Sequence, residues 1–250
     1  MTSEVPEPPW QRPPRRSSRA RRDPITAEAI TEAAIKILDT EGLDGLSMRR
    51  VADALHTGPA SLYWHVGSKD GLLDLVFDQL IGEMDVPEPE GGRWKEQLKQ
   101  VALSQRATIL RHRDLVAISM GRIPMGPNAL RYTERVVAIL RAGGVPDGLA
   151  VSGYLLLFAL VNGFTMDEMA EPVTGSDDSR EALSPSAVSG YLASLPPGQF
   201  PNIVAVAPHF AQWDNDVQFE MLVDIYVDGL AQRALAAGAH PRPDGGRPDA

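Results

Sequence analysis

The chain has no cysteine among its 250 residues, which excludes a disulfide framework and any thiolate-bound metal and suits a reducing compartment. No run of about 18 apolar residues offers itself as a membrane span, and the N-terminal stretch MTSEVPEPPWQRPPRRSSRARR lacks the apolar core of a signal peptide. A cytoplasmic protein without membrane contact is expected. The five histidines, His56, His65, His112, His209 and His240, follow no HExxH or other metal-ligand spacing. Neither a zinc hydrolase nor any bound metal or cofactor is therefore expected. His112-Arg113-Asp114 carries the letters of a kinase catalytic loop, yet no glycine-rich nucleotide loop or strand framework goes with it. Convergent catalytic groups are missing, and the chain does not read as an enzyme. Strand-like alternation and repeats of about 20 to 50 residues are missing as well, which leaves an all-α fold.

Hydrophobic residues make up 43% of the chain, enough for a sizeable core. The net charge of −9 speaks at first sight against nucleic acid, but it is unevenly placed. Residues 1 to 22 carry +4, residues 23 to 84 carry −7 and the remainder −6; within the acidic block, segment 45 to 69 sets Arg49, Arg50 and Lys69 against Asp53 alone. Phosphate binding depends on where the cations sit rather than on the total, so a DNA-facing surface remains open to this chain.

Residues 1–24 are rich in Pro and Arg and have no hydrophobic period, which predicts a disordered arm. From Thr26 onward Ile30, Ala33, Ala34, Ile37 and Leu38 mark one helix face, with Gly42 as the stop. Ser47 caps a second helix to about Leu55, Gly58-Pro59 opens a third, and Ser68 caps a fourth with Leu72, Leu73, Val76, Phe77 and Leu80 inward. The Pro/Gly-punctuated joint DVPEPEGGR, residues 85 to 93, marks a boundary between a domain over 25–84 and a larger helical domain over 93–237. Helices are predicted near 94–112, 114–120, 127–142, 147–169 and 214–237. Residues 170 to 200 read as a long loop with one short helix near 186–195, and 238–250 as a disordered tail.

The helix pair from Ser47 to Val66 has the dimensions of a DNA-reading unit, its second helix short and opened by a proline. Geometry alone serves a structural helical hairpin equally well. The stretch GLSMRRVADALHTGPASLYWHVGSKDGLLDLV, with its Leu-Tyr-Trp-His-Val run, the lysine after it and Leu-Leu-Asp beyond, closely resembles the N-terminal domain of the tetracycline-repressor (TetR) family. The likeness is strong over 26–80 and continues more weakly through RHRDLVAISMGRIP, residues 111 to 124. It implies an N-terminal three-helix helix-turn-helix domain joined to a ligand-binding and dimerisation domain, bound to double-stranded operator DNA as a homodimer.

The same resemblance implies roles for individual residues. Ser47 belongs to the DNA-facing set, and Arg49 points at a base edge, where its fork suits guanine O6 and N7. Pro59, Ala60 and Ser61 form the groove-facing start of the recognition helix, while Tyr63, His65 and Lys69 hold phosphates. Tetracycline repressors carry an amide side chain where this sequence has Pro59, so a different operator is expected. Leu62 and Val66 belong to the core, and Trp64 is expected to pack rather than touch a base. Arg15, Arg16, Arg19, Arg21 and Arg22 suit a minor-groove arm, with a solubilising tail as the alternative. A similar arginine-rich extension occurs in some antibiotic-efflux regulators of the family.

The resemblance assigns SGYLLLFALVNGFTMDEMAEP and DNDVQFEMLVDIYVDGLAQRAL to a four-helix dimer interface, although periodicity alone allows plain core. Where tetracycline repressors bear a histidine for drug-chelated magnesium, this chain has Ser119, so tetracycline with magnesium is not the expected ligand. Met120, Met125, Phe158, Phe164 and Met166 suggest an adaptable apolar cavity with Arg106, Arg122, Asn162 and Glu168 as polar contacts. The reading that emerges is a repressor released from a palindromic operator by a small-molecule inducer, with an exporter gene as a candidate target. An activator is the alternative within that class, and a helical small-molecule-binding protein without DNA binding lies outside it.

Overall fold

A computed structural model describes residues 25–170 and 184–238, and every regular element among them is helical. The expected arm with Arg15, Arg16, Arg19, Arg21 and Arg22, and the expected tail from residue 239, lie outside the described residues.

Helix α1 (Ala27–Gly45) begins where the Thr26 hydroxyl accepts a hydrogen bond from the Ala29 amide at 3.2 Å, satisfying one of the first-turn donors. Its buried stripe is Ile30, Ala34, Ile37 and Leu38. Gly42 stops the first run of the helix as expected, and a short further turn resumes beyond it. It takes φ +75° and ψ 178°, a conformation open to glycine, which breaks the helical hydrogen bonding before a last turn that runs on to Gly45. Helix α2 (Met48–Ala54) is capped by Ser47, which accepts from Arg50 N, and α3 (Pro59–Val66) opens on Gly58 and Pro59 and closes on Gly67 at φ +73°. Helix α4 (Lys69–Ile81) is capped by Ser68, whose hydroxyl accepts from Gly71 N at 3.0 Å. A Cβ at Gly71 would lie 2.2 Å from the Val66 carbonyl oxygen, so only glycine lets α4 start so close behind α3. Leu62, Val51, Ala52, Leu72, Val76 and Phe77 fill the space between these helices.

After a 3-10 turn at Gly91–Arg93 come α5 (Trp94–Arg111), α6 (Leu115–Ser119), α7 (Pro127–Ala142), α8 (Asp147–Glu168), α9 (Pro185–Ala193), α10 (Pro201–Phe210) and α11 (Asn215–Ala236). Helix α5 is central and packs on α7, α8 and α11, whereas α9 and α10 pack chiefly on each other. Helix α9 answers the short helix expected near 186–195. Helix α10 does not follow from the sequence reading: Pro201 and Pro208 punctuate it, and its apolar stripe, Ile203, Val206, Ala207 and Phe210, is short, with only Ala207 buried.

Helix α8 departs from expectation in a second way. By length and composition it does match a membrane span, against the reading that no such run exists. Its outward side, with Val151, Leu155, Leu156 and Met166, is exposed, as are Val217, Met221 and Ile225 on α11.

Three charged contacts tie α1 and α4 to the larger helical region. Asp78 on α4 accepts from Asn128 N, Asn128 Nδ2 and Ala129 N at the start of α7. Arg122, between α6 and α7, pairs with Asp70 and Asp74 on α4. His112, at the end of α5 and mostly buried, sets Nδ1 2.8 Å from Asp39 Oδ1 on α1 and Nε2 3.1 Å from Glu83 Oε2 just beyond α4. His112-Arg113-Asp114 is thus a joint between helices.

Candidate nucleic-acid interface and ligand domain

The periodicity of α2 and α3 sorts their side chains onto two sides. Met48, Val51, Ala52 and Leu62 turn inward, while Arg49, Pro59, Ala60 and Tyr63 are exposed and Ser61 and His65 half-buried. Ser47 is occupied in capping α2, and Lys69 is exposed at the first turn of α4. The two arginines of α2 differ in use. Arg50 is tied to Glu41 of α1, whereas the side chain of Arg49 is 86% exposed, with only Asp53 at 3.9 Å one turn on. Arg49, Pro59, Ala60, Ser61, Tyr63, His65 and Lys69 therefore belong to one compact helix–turn–helix and the helix start that follows it.

Trp64 packs less fully than expected. It is 38% exposed, against 50% for the neighbouring Tyr63, and its ring stands edge-on to His65 with centroids 5.0 Å apart. Leu62 alone of α3 reaches full burial, so an eight-residue helix with one inward corner leaves the indole on its flank.

The ligand residues expected from sequence are brought together only in part: Arg106 meets Glu168 and Phe164, while the others lie apart. Phe158 and Asn162 line the inner side of α8, but Met120, Met125 and Met166 are exposed. Arg122 faces α4. Arg106, 8% exposed, donates Nε to Glu168 Oε2 at 2.8 Å, contacts Asp216 and lies 4.8 Å from the Phe219 ring centroid. The Glu168 bond is the main cause that raises the Arg106 pKa above its ordinary value, and Arg106 ties α5 to the end of α8 and the start of α11. Ser119 turns its hydroxyl to the Val116 carbonyl at 2.7 Å.

What sequence reasoning missed is Gln105. Fully buried in α5, its amide donates to Asn162 Oδ1 at 2.9 Å, and its carbonyl accepts from Tyr132 on α7 at 3.1 Å. Beside it Thr133 Oγ1 meets the Tyr154 hydroxyl at 2.9 Å. Burial pushes the Tyr132 phenol pKa well above its ordinary value, so the phenol stays a donor. A signal existed: Leu98, Val101, Ala102, Gln105 and Ile109 recur at helical spacing, placing an amide inside an apolar face. A separate cleft of about 200 Å³ opens between α5 and α11, lined by Lys99, Leu103, Phe219, Glu220, Val223 and Asp224.

A small helical unit that buries one side of a helix pair and presents Arg, Tyr and Lys on the other, joined to a larger helical domain with a polar cluster inside, defines a helix-turn-helix regulator. The model of the bacterial regulatory proteins, tetR family, matches residues 30–76, and that of the tetracyclin repressor-like C-terminal domain matches residues 86–234. The chain belongs to the TetR family. The apo crystal structure of ActR from Streptomyces coelicolor is similar at TM-score 0.77 and 44% identity over 87% of this chain and 100% of that one. The complex of ActR with actinorhodin gives the same score and identity, covering 87% and 98%. A helix-turn-helix-type transcriptional regulator of Saccharopolyspora erythraea is 38% identical over 59% of this chain and 64% of its own length. The transcriptional repressor DrrR1 of Streptomyces coeruleorubidus is 37% identical over 66% of this chain and 63% of its own. This chain thus spans slightly under two thirds of those two relatives.

Proposed function

We propose that the chain is a homodimeric transcriptional repressor that binds a palindromic operator through α2 and α3 and leaves it when a small molecule occupies the domain around α5, α7 and α8. The single observation that carries this reading is the two-sided helix pair, which buries Leu62 and Val51 while presenting Arg49, Tyr63 and Lys69 to solvent. Arg49 takes the base-reading role, Pro59, Ala60 and Ser61 approach the groove, and Tyr63, His65 and Lys69 hold phosphates. The division into a DNA-binding domain over 25–84 and a ligand and dimer domain over 93–237 follows the helices and the joint between them. The exposed apolar sides of α8 and α11 supply the dimer surface, and a dimer must set its two recognition helices about 34 to 36 Å apart to meet successive major grooves.

Ligand binding by ActR supports a small-molecule inducer here. Gln105, Asn162 and Tyr132 amid apolar neighbours fit a largely apolar molecule with a few hydrogen-bonding oxygens. A gene for an exporter of that molecule is the target we expect. Selection of bound duplexes from random DNA tests the core of the proposal. A palindrome should emerge, and failure to enrich any sequence would refute operator recognition. An activator is told from a repressor by target transcript levels in a deletion strain, which a repressor raises and an activator lowers.

A further inference from the structure

Arg122 belongs to the segment between α6 and α7, yet its guanidinium lies against the first turns of α4. Nη2 stands 3.0 Å from Asp70 Oδ1, while Nη1 bonds Asp74 Oδ1 and the Asp70 backbone oxygen, the latter at 3.1 Å. The arginine side chain is 17% exposed, whereas those of Asp70 and Asp74 are 84% and 46% exposed. The cation is enclosed and the acids face water. These acids stand in an unfavourable place for a DNA-binding unit. Asp70 follows Lys69 directly, so it lies within about one Debye length, roughly 10 Å at 0.1 M salt, of any phosphate that Lys69 holds. Bare carboxylates there would repel the DNA backbone.

We propose that Arg122 is a charge mask: by pairing with Asp70 and Asp74 it lets the start of α4 approach DNA, and its withdrawal uncovers two negative charges at the interface. The inference deepens the repressor reading and rests on it. Because the ligand domain carries Arg122, a guest that displaces segment 120–126 changes the electrostatics of the DNA face without reshaping the recognition helix. Asp78, one turn further along the same stripe, is excluded from this role because it is engaged with the start of α7. The repulsion is Coulombic and independent of sequence, so it acts on any duplex.

The test uses the full chain, its Arg122→Gln variant and the triple variant Arg122→Gln, Asp70→Asn, Asp74→Asn. Binding to a random-sequence duplex and to a selected operator is read by fluorescence anisotropy at about 50 and 300 mM salt. Arg122→Gln should lose about tenfold in affinity at the lower salt and less than about threefold at the higher, because screening removes like-charge repulsion. The triple variant, uncharged at these three positions where wild type carries a net −1, should bind at least as tightly as wild type. A loss that is equal at both salts, or that the triple variant does not recover, makes Arg122 a structural tie and overturns the mask. Asp70→Asn with Asp74→Asn, keeping Arg122, provides a check should Arg122→Gln fold poorly. It should bind duplex more tightly than wild type, and unchanged or weaker binding overturns the proposal. Wild type that binds no duplex at all defeats the repressor reading itself, whereas normal wild-type binding with an unaffected Arg122→Gln defeats only the mask.

Discussion

Replacing Asp78 with alanine should destabilise the fold by about 2 to 3 kcal/mol, because this one carboxylate completes the start of another helix. Helix α7 opens with Gly126, which has no side chain to cap with, and Pro127, which has no N–H to donate. The free donors of its first turn are the amides of Asn128 and Ala129, and both end on Asp78, at 3.3 and 2.9 Å, with Asn128 Nδ2 adding a bond at 3.1 Å. A lost cap costs about 1 kcal/mol, the charge at a helix start about 0.3 to 1, and the side-chain bond about 1. Asp78→Asn keeps an acceptor of the same size and should lose only about 1 kcal/mol. Urea unfolding at one fixed protein concentration measures both, with an unchanged slope as the sign that the unfolded state is not involved. Gly126→Ala gives a second handle, since a Cβ there would lie 2.2 Å from the Asp78 carboxyl group. It should cost more stability in wild type than in Asp78→Ala, where only the contact with the Cβ of residue 78 at 2.8 Å remains. Strictly additive effects, or an Asp78→Ala loss below about 0.5 kcal/mol, would refute capping across the joint.

Leu62→Ala removes the one fully buried side chain of α3 and should cost about 2 to 5 kcal/mol together with operator binding; a thermal midpoint within a degree of wild type would contradict that. Arg49→Ala should lose about 1 to 3 kcal/mol on the cognate operator and discrimination at one base pair, whereas Lys69→Ala weakens all duplexes alike and lowers the salt slope by about one; matching profiles for the two would count against separate roles. Ile225→Glu places a charge on the exposed stripe of α11 and should convert dimer to monomer in sedimentation experiments; an intact dimer would move the interface elsewhere. Burial pushes the Tyr226 phenol pKa up, and the phenol donates to the Gly153 carbonyl at 2.7 Å. The folded state keeps that proton when the unfolded chain releases it near pH 10, so this stability is complete below about pH 10 and falls as pH rises further. Tyr226→Phe should flatten that alkaline loss in a pH series of melting curves, and an unaltered slope would refute the assignment.

Much of the architecture is legible without coordinates because its punctuation is local. Ser47, Ser68 and Pro59 mark helix starts through short-range capping and fixed φ, and the apolar periods of α5, α7 and α11 are long enough to read directly. Gly42 is legible as a helix stop, whereas the single turn that resumes beyond it, to Gly45, is too short to show a period. Helix α10 is hard to read because Pro208 falls inside a ten-residue segment whose apolar stripe is short. On α2, α3 and the start of α4, resemblance pointed to Arg49, Tyr63 and Lys69, which the fold leaves exposed, but it could not tell how far the indole of Trp64 is covered. Arg122 and Arg106 show the deeper limit. An arginine near an apolar cavity in sequence goes wherever a carboxylate is placed, and Asp70, Asp74, Glu168 and Asp216 meet them only through tertiary packing.

The Gln105 cluster also bears on selectivity. Its amide, the Asn162 carbonyl and the Tyr132 hydroxyl already satisfy one another in a water-poor interior. A guest wedged among them must take over the bonds it breaks, since each group left unpaired costs about 1 to 3 kcal/mol. If the proposed inducer enters there, molecules of the right bulk but lacking matching oxygens would be turned away, by up to roughly two orders of magnitude per unmatched group. In the function proposed above, such a cluster would discriminate by subtraction, penalising what a wrong guest fails to offer rather than rewarding what a right one brings.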